Sequence, residues 1–262
     1  MTELEIINHI GLLIATTFSI ILGIIMIRKY YKYKDLELLT MGFSTIFISS
    51  PWWGLILAFI SYALFSIEIS DLMFLFFAIG FSPIALILQI ITISRLVYQE
   101  SWKKISILLI VPVIIHRIFW FIFLFTNPSL LWVRLSRFDG EVQPFHLLYT
   151  LYATIIVIII YTLFIRDCLR SVEPKIRLKG KFVYLGCFIY FVGIVLGVIV
   201  NLDIATLFAR FVVMTAVILS YIGWVMPERV AKFFIKGYEI EKKEKTKGAP
   251  KKKGTWTVIR NE

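Results

Sequence analysis

Of 262 residues, 59% are hydrophobic and only 17% are charged, and the charges fall in short clusters between long apolar runs. Soluble domains hold roughly 45–50% apolar residues, so a soluble globular chain is excluded and the pattern is that of a multi-pass helical membrane protein. The net charge is +11, and seven spans joined by short loops use nearly the whole chain, which leaves no room for a sizeable soluble domain.

The first span covers about 6–27, with Glu3 and Glu5 before it and Arg28-Lys29 after it. A cleavable signal peptide would open on positive charge and close on a small-residue cleavage site, so this run reads as a true span. Gly11, Ala15, Ser19 and Gly23 recur every four residues along one face, which lets a second helix approach closely. The second span, 36–66, is interrupted at Ser49-Ser50-Pro51-Trp52-Trp53. Pro51 has no N–H for the Phe47 carbonyl and predicts a kink. The third span, 72–94, carries Pro83, which frees the Ile79 carbonyl in the same way. The fourth, 105–126, holds Pro112, expected to kink its helix as well, together with His116 and Arg117.

A longer loop, 127–145, follows, rich in Pro, Gly and charge. The fifth span is 146–165. The sixth, 182–200, places Gly193 and Gly197 in GxxxG spacing, a packing motif that serves either the bundle or a protomer contact. The seventh, 204–226, ends at Pro227. Residues 228–240 alternate basic and apolar positions as an interfacial amphipathic helix does. The tail, 241–262, is Lys-rich and reads as disordered. The two cysteines, Cys168 and Cys187, lie near basic helix ends, and a structural disulfide is not expected in a reducing compartment.

Orientation follows from the cations. Of 28 Lys and Arg, 24 lie after spans one, three, five and seven, two lie on the opposite side, and Arg117 and Arg210 are inside spans. Positive residues favour the cytoplasmic side. The expected fold class is therefore an all-α integral membrane bundle of seven transmembrane helices, N-terminus outside and C-terminus cytoplasmic, located in the cell membrane. The tail is expected to meet anionic inner-leaflet lipids at about 1 kcal/mol per basic residue. No specific nucleic-acid partner is expected.

Arg117 is the first candidate for function. A charge at this depth costs about 2.5–3.5 kcal/mol on insertion scales, so it usually faces the bundle interior and has partners. The carbonyls freed by Pro51 and Pro83 lie at its level and would take its donors, and Trp52 and Trp53 could add a cation–π face. Arg117 is then either a structural clamp on kinked helices or a ligand-binding group. Its neighbour His116 points about 100° away around the helix and reads as a hydrogen-bonded core histidine or a proton-handling one. Arg210 belongs either to an outer-rim ion network with Asp203, Asp71, Glu68 and Asn201, or, with Asp203, His146 and Tyr149, to the mouth of a ligand cavity. Gln89 completes the ligand-binding candidates.

The absences narrow the function classes. The seventh span holds no lysine, so a retinal Schiff base there is excluded. Metal-protease, paired-carboxylate and P-loop patterns are missing, and neither catalytic residues nor a metal or other cofactor are expected. The order of spans resembles that of seven-helix receptors in topology alone: Ser94-Arg95-Leu96 replaces the acidic-Arg-Tyr signature, and Tyr221 to Pro227 replaces Asn-Pro-x-x-Tyr. A receptor-like or sensor-like bundle with a polar cavity around Arg117 and a separate cytoplasmic signalling partner is the leading expectation. A small-solute transporter or channel follows, then an intramembrane enzyme. The halves of the chain show no matching proline pattern of the kind an internal repeat would leave.

Overall fold

The computed structural model describes residues 3–134, 138, 140–199 and 203–235. The helices are α1 (Glu3–Tyr33), α2 (Leu36–Phe47), α3 (Trp53–Phe65), α4 (Asp71–Ile79), α5 (Ser82–Val97), α6 (Trp102–Thr126), α7 (Pro144–Arg170), α8 (Pro174–Ile199), α9 (Asp203–Val225) and α10 (Glu228–Phe234). Six stretches of the described chain are long and apolar enough to cross a membrane: α1, α2 with α3, α4 with α5, α6, α7 and Leu207–Val225 of α9. This is a bundle of the polytopic membrane kind, in which helices satisfy their own backbone polar groups where no water is available.

The two expected proline sites in the second and third stretches become breaks. A 3-10 turn, Ser50–Trp52, separates α2 from α3, with Pro51 inside it. Gly80 and Phe81 separate α4 from α5, and Pro83 lies in the first turn of α5. By contrast, α6 runs through Pro112 without a break.

The helices close into a ring. α1 packs on α2 and α9, α2 on α5, α5 on α7, α7 on α8, and α8 on α9. α6 leans on the outside of α5 and is the least buried of the six stretches. Its Ile107, Leu108, Ile118 and Phe125 are exposed, as a lipid-facing helix requires. The main apolar core joins Met26, Ile90, Ile93, Phe164 and Trp224, drawn from α1, α5, α7 and α9.

The small-residue faces act within the bundle. A Cβ on Gly23 would lie 2.6 Å from the Gly42 carbonyl, and one on Gly42 would lie 2.9 Å from the Gly23 carbonyl, so α1 and α2 cross backbone to backbone. Gly186 and Gly193 admit α9 in the same manner, against Ala216 and Val213. The surroundings of Gly197 are outside the described residues.

The expected loop 127–145 is corrected in part. Trp132–Arg134 (β1) pairs antiparallel with Gly140–Val142 (β2), Trp132 opposite Val142, so among the described residues the fold is all-α apart from one short hairpin. Trp132 is buried and its ring stacks on Phe74 at 4.7 Å. Arg134 pins the hairpin to α4, pairing with Asp71 at 2.6 Å and donating to the Ile69 carbonyl at 3.1 Å. Of the expected interfacial segment only α10 and Ile235 are described. Ala231 and Ile235 pack against Met226, near Leu178 and Phe182, while the tail, 241–262, lies outside the described residues.

Candidate functional site

A proline removes one donor from the carbonyl four residues earlier. For Pro83 that carbonyl belongs to Ile79, and the break adds a second, because the Ile84 N–H turns to Phe81 instead of Gly80. Both acceptors sit inside the bundle, where an unsatisfied carbonyl costs several kcal/mol. Arg117 of α6 meets both. Its Nη2 donates to the Ile79 carbonyl at 2.8 Å and also to the Gly80 carbonyl. Gly80 lies nine residues from the Asp71 end of α4, and Arg117 nine from the Thr126 end of α6. At 1.5 Å per residue each is roughly 13 Å below its helix end, so the match of depth is geometric.

Ser82 shares the task, its Oγ donating to the Ile79 carbonyl at 3.2 Å. The aromatic face over the guanidinium is Trp120, 4.2 Å from ring centroid to Cζ, with Phe121 at 5.7 Å. These are residues one turn along the same helix, not Trp52 or Trp53 as the sequence suggests. The other guanidinium nitrogen, Nη1, is buried without a hydrogen-bond partner, and so is the Trp120 Nε1.

His116 projects to a different neighbour. Its ring lies parallel to Tyr149 at 4.3 Å and to Phe145 at 4.7 Å, and 5.7 Å from the ring of His146. The expectation of a hydrogen-bonded core histidine is corrected: both ring nitrogens of His116, and Nδ1 of His146, are buried without a hydrogen-bond partner. What holds the ring is aromatic stacking, worth about 0.5–1.5 kcal/mol per pair beyond area burial. α7 begins deep in the bundle for this contact to exist, since His146 is in its first turn while His116 is ten residues from the end of α6. The Gln143 N–H, bonded to the Leu131 carbonyl at 3.1 Å, draws the hairpin inward and sets that start.

The remaining candidates lie elsewhere. Trp53 donates from Nε1 to Ser49 Oγ at 3.2 Å, and Ser49 in turn donates to the Ile46 carbonyl at 2.8 Å. These bonds lie at the α2/α3 break, and the expectation that the Phe47 carbonyl freed by Pro51 also accepts from Arg117 is corrected: the guanidinium's hydrogen bonds go to Ile79 and Gly80, at the α4/α5 break. Phe81 ties the two together, stacked on Phe47 at 6.1 Å and 5.4 Å from Trp53. Trp52 faces the other way, packed against Leu22, Val213 and Val217. Gln89 donates to Ser44 Oγ at 3.1 Å, and Ser44 to the Ala85 carbonyl at 3.2 Å, a polar seam between α2 and α5. Arg210 donates to Asn8 of α1 at 3.3 Å. The expected rim network is corrected at Asp71, which pairs with Arg134 instead. The Asp203 side chain and Asn201 are outside the described residues.

The sequence candidates that meet are therefore Arg117, His116, Tyr149 and His146, joined by Phe145, Ser82 and Trp120. Phe145 and Ser82 come from the helix starts that flank the site. Ser82 was legible as the hydroxyl nearest the proline-freed carbonyl. In the first turns of α8, ahead of the apolar run 182–200 read as the sixth span, burial pushes the Lys179 ammonium down to about 7. Among the described residues no group of three or more His, Cys, Asp or Glu is placed to hold a metal ion.

Broken helices in a ring of apolar ones, with an arginine spanning the break, define a polytopic α-helical membrane protein. Beyond that class, neither protein-family models, nor curated proteins, nor solved structures give a match to this chain.

Proposed function

We propose that the chain is a receptor-like or sensor-like bundle of seven spans, with α8 as the sixth, an outside N-terminus and a cytoplasmic C-terminus. The distribution of cations supports the orientation, since the basic clusters flank alternate loops. The carrying observation is the state of Arg117: one guanidinium nitrogen holds the α4/α5 break closed, while the other is buried and unpartnered.

A planar oxygen-bearing anion of the carboxylate type suits that guanidinium, which binds such groups with two parallel bonds. Trp120 Nε1 offers a further donor, and Phe145 and Tyr149 offer flat apolar walls. A ligand that recruits Nη2 as well would take it from Gly80 and Ile79. The break would loosen, and α5, which touches α2, α6 and α7, would carry the change to the basic cytoplasmic loops. That is a two-state element biased by a ligand.

A small-solute transporter remains the second reading, because adjacent discontinuous helices near mid-span are how many transporters build a substrate site. The two readings separate by experiment. Purified protein in nanodiscs is heated with a panel of small aromatic and aliphatic carboxylates, and the same molecules are offered to proteoliposomes. The sensor reading expects a carboxylate that raises the unfolding temperature of the wild type and not of Arg117→Lys, without uptake. Arg117-dependent accumulation inside the vesicles would overturn it in favour of transport.

A further inference from the structure

One cavity of about 190 Å3 lies away from Arg117, in the groove between α5, α6 and α7, next to their basic ends. Its walls are mainly apolar, among them Val97, Leu109, Ile159, Ile160 and Leu163, with the hydroxyl-bearing Ser94 and Tyr98 both on α5's side. Ser94 is 2% exposed and its Oγ has no hydrogen-bond partner. A hydroxyl on a helix ordinarily bonds back to the carbonyl one turn earlier. Leaving it unpaired beside an empty apolar space has a free-energy cost unless an acceptor arrives with whatever fills that space.

The size fits hydrocarbon. A dry apolar cavity of about 150 Å3 binds benzene, so this one takes a comparable small apolar body or the first methylenes of a longer chain. The groove is open to the side because α6 makes few contacts with α7, and the exposed faces of both helices at this level, Leu108 and Ile159, are apolar. The surroundings of the opening carry charge. Lys103 and Lys104 precede Ile105 of α6 and are exposed, and Arg166 follows Leu163 of α7 by less than one turn, about half exposed and 3.6 Å from Asp167. Glu100 is the acidic residue of the same loop. Two exposed lysines beside an apolar groove, Lys103 with its ammonium 5.8 Å from the Trp102 ring centroid, complement a phosphate attached to a hydrocarbon chain.

We propose that this groove is a binding site for one anionic phospholipid, its acyl chain seated between α5, α6 and α7, its ester carbonyl accepting from Ser94 and its phosphate near Lys103 and Lys104. The site is independent of the sensor reading, and its test uses no signalling output. It also differs from the general lipid coat of the bundle, because here a buried unpaired hydroxyl meets an apolar groove with cations at its edge.

The test uses full-length protein in nanodiscs doped with phosphatidylglycerol that carries a photoreactive diazirine on its acyl chain, with the phosphatidylcholine analogue in parallel. Labelled peptides are mapped by mass spectrometry. The expected result is labelling concentrated on residues 93–109 and 155–165 with the phosphatidylglycerol probe. Leu109→Trp, which fills the space, abolishes it. Ser94→Ala, which leaves the space open, lowers it about fivefold, the worth of one ordinary hydrogen bond. Unchanged unfolding temperatures identify folded variants, and Lys103→Gln with Lys104→Gln gives a surface change that cannot disturb the core. Labelling spread evenly over all exposed helices, undiminished by Leu109→Trp, or equal with phosphatidylcholine, overturns the proposal.

Discussion

Replacing Arg117 by leucine tests the reading of the α4/α5 break. The substitution removes the donor of Nη2 from two carbonyls. Ile79 keeps a partner in Ser82, at 3.2 Å, whereas Gly80 is left with none because the Ile84 N–H is committed to Phe81. A hydrogen bond from a charged donor contributes about 1.5–3 kcal/mol, and the cation–π contact with Trp120 adds about 0.5–2 kcal/mol. Against these stands the relief of burying a charge, about 2.5–3.5 kcal/mol on insertion scales, though that figure is for an arginine without fixed partners. A net destabilisation of about 2 kcal/mol is expected for Arg117→Leu, which for a chain of this size lowers the unfolding temperature by roughly 4–8 °C. The assay is thermal unfolding in a fixed detergent, followed by tryptophan emission. Ser82→Ala supplies the control. Alone it shifts stability by under about 1 kcal/mol, but with Arg117→Leu the loss exceeds the sum by about 0.5–3 kcal/mol, because the two side chains back each other up on one carbonyl. Strict additivity, or an Arg117→Leu protein as stable as the wild type, would refute the account of Arg117 as the closure of the break.

Gly42→Val drives a branched side chain into the Gly23 carbonyl, 2.9 Å from its Cβ, and is expected to cost about 3 kcal/mol, the upper end of the range typical of overpacking, read as loss of folded protein on size exclusion. Arg134→Ala removes an ion pair whose acid, Asp71, is half exposed and worth under about 1 kcal/mol, together with the charged bond to the Ile69 carbonyl, so a loss of about 2 kcal/mol on unfolding is expected. Lys179 titrates near 7 in the fold against its ordinary 10.5, so between those values the unfolded chain binds the extra proton and stability rises with pH. The unfolding temperature of the wild type should therefore climb from pH 7 to about pH 10 by more than that of Lys179→Met. For orientation, cysteines at Glu141 and Arg177, in a protein whose Cys168 and Cys187 are alanine, should react with an impermeant thiol reagent from outside and inside the cell respectively. The reverse pattern would overturn the proposed topology.

The parts of this fold that could be read in the sequence are those governed by local chemistry. Pro83 deletes a donor at a fixed offset, and counting residues from the span ends put Arg117 at the depth of the freed Ile79 carbonyl. Rotation about the helix axis was not legible. Lipid accepts apolar side chains on any face, so Trp52 and Trp53 carry no pattern that says which one turns toward α1 and α9 and which toward Ser49. The hairpin left a weak trace, Val133 and Val142 flanking Gly140, in a stretch whose charges read as loop. Its inward pull on Gln143 decided where α7 starts and hence that His146 meets His116. The hydrogen bond between Gln143 and Leu131 just ahead of α7 joins two residues no periodicity connects. The small-residue face of α1 foretold close packing but not its partners, which turn out to be Gly42 on one side and Leu207 on the other.

Arg117 belongs to α6, yet the backbone it completes belongs to α4 and α5, which leave the ribosome first. For the interval of synthesis between them, the carbonyls of Ile79 and Gly80 have no arginine to meet. Hydrocarbon would charge several kcal/mol for each such group, so the α4–α5 segment has a physical reason to wait in a wet or protein-lined place until α6 arrives. Entry of the two segments as a hairpin, not one by one, is the outcome this cost favours. A single side chain would then couple the order of membrane insertion to the shape of the finished bundle.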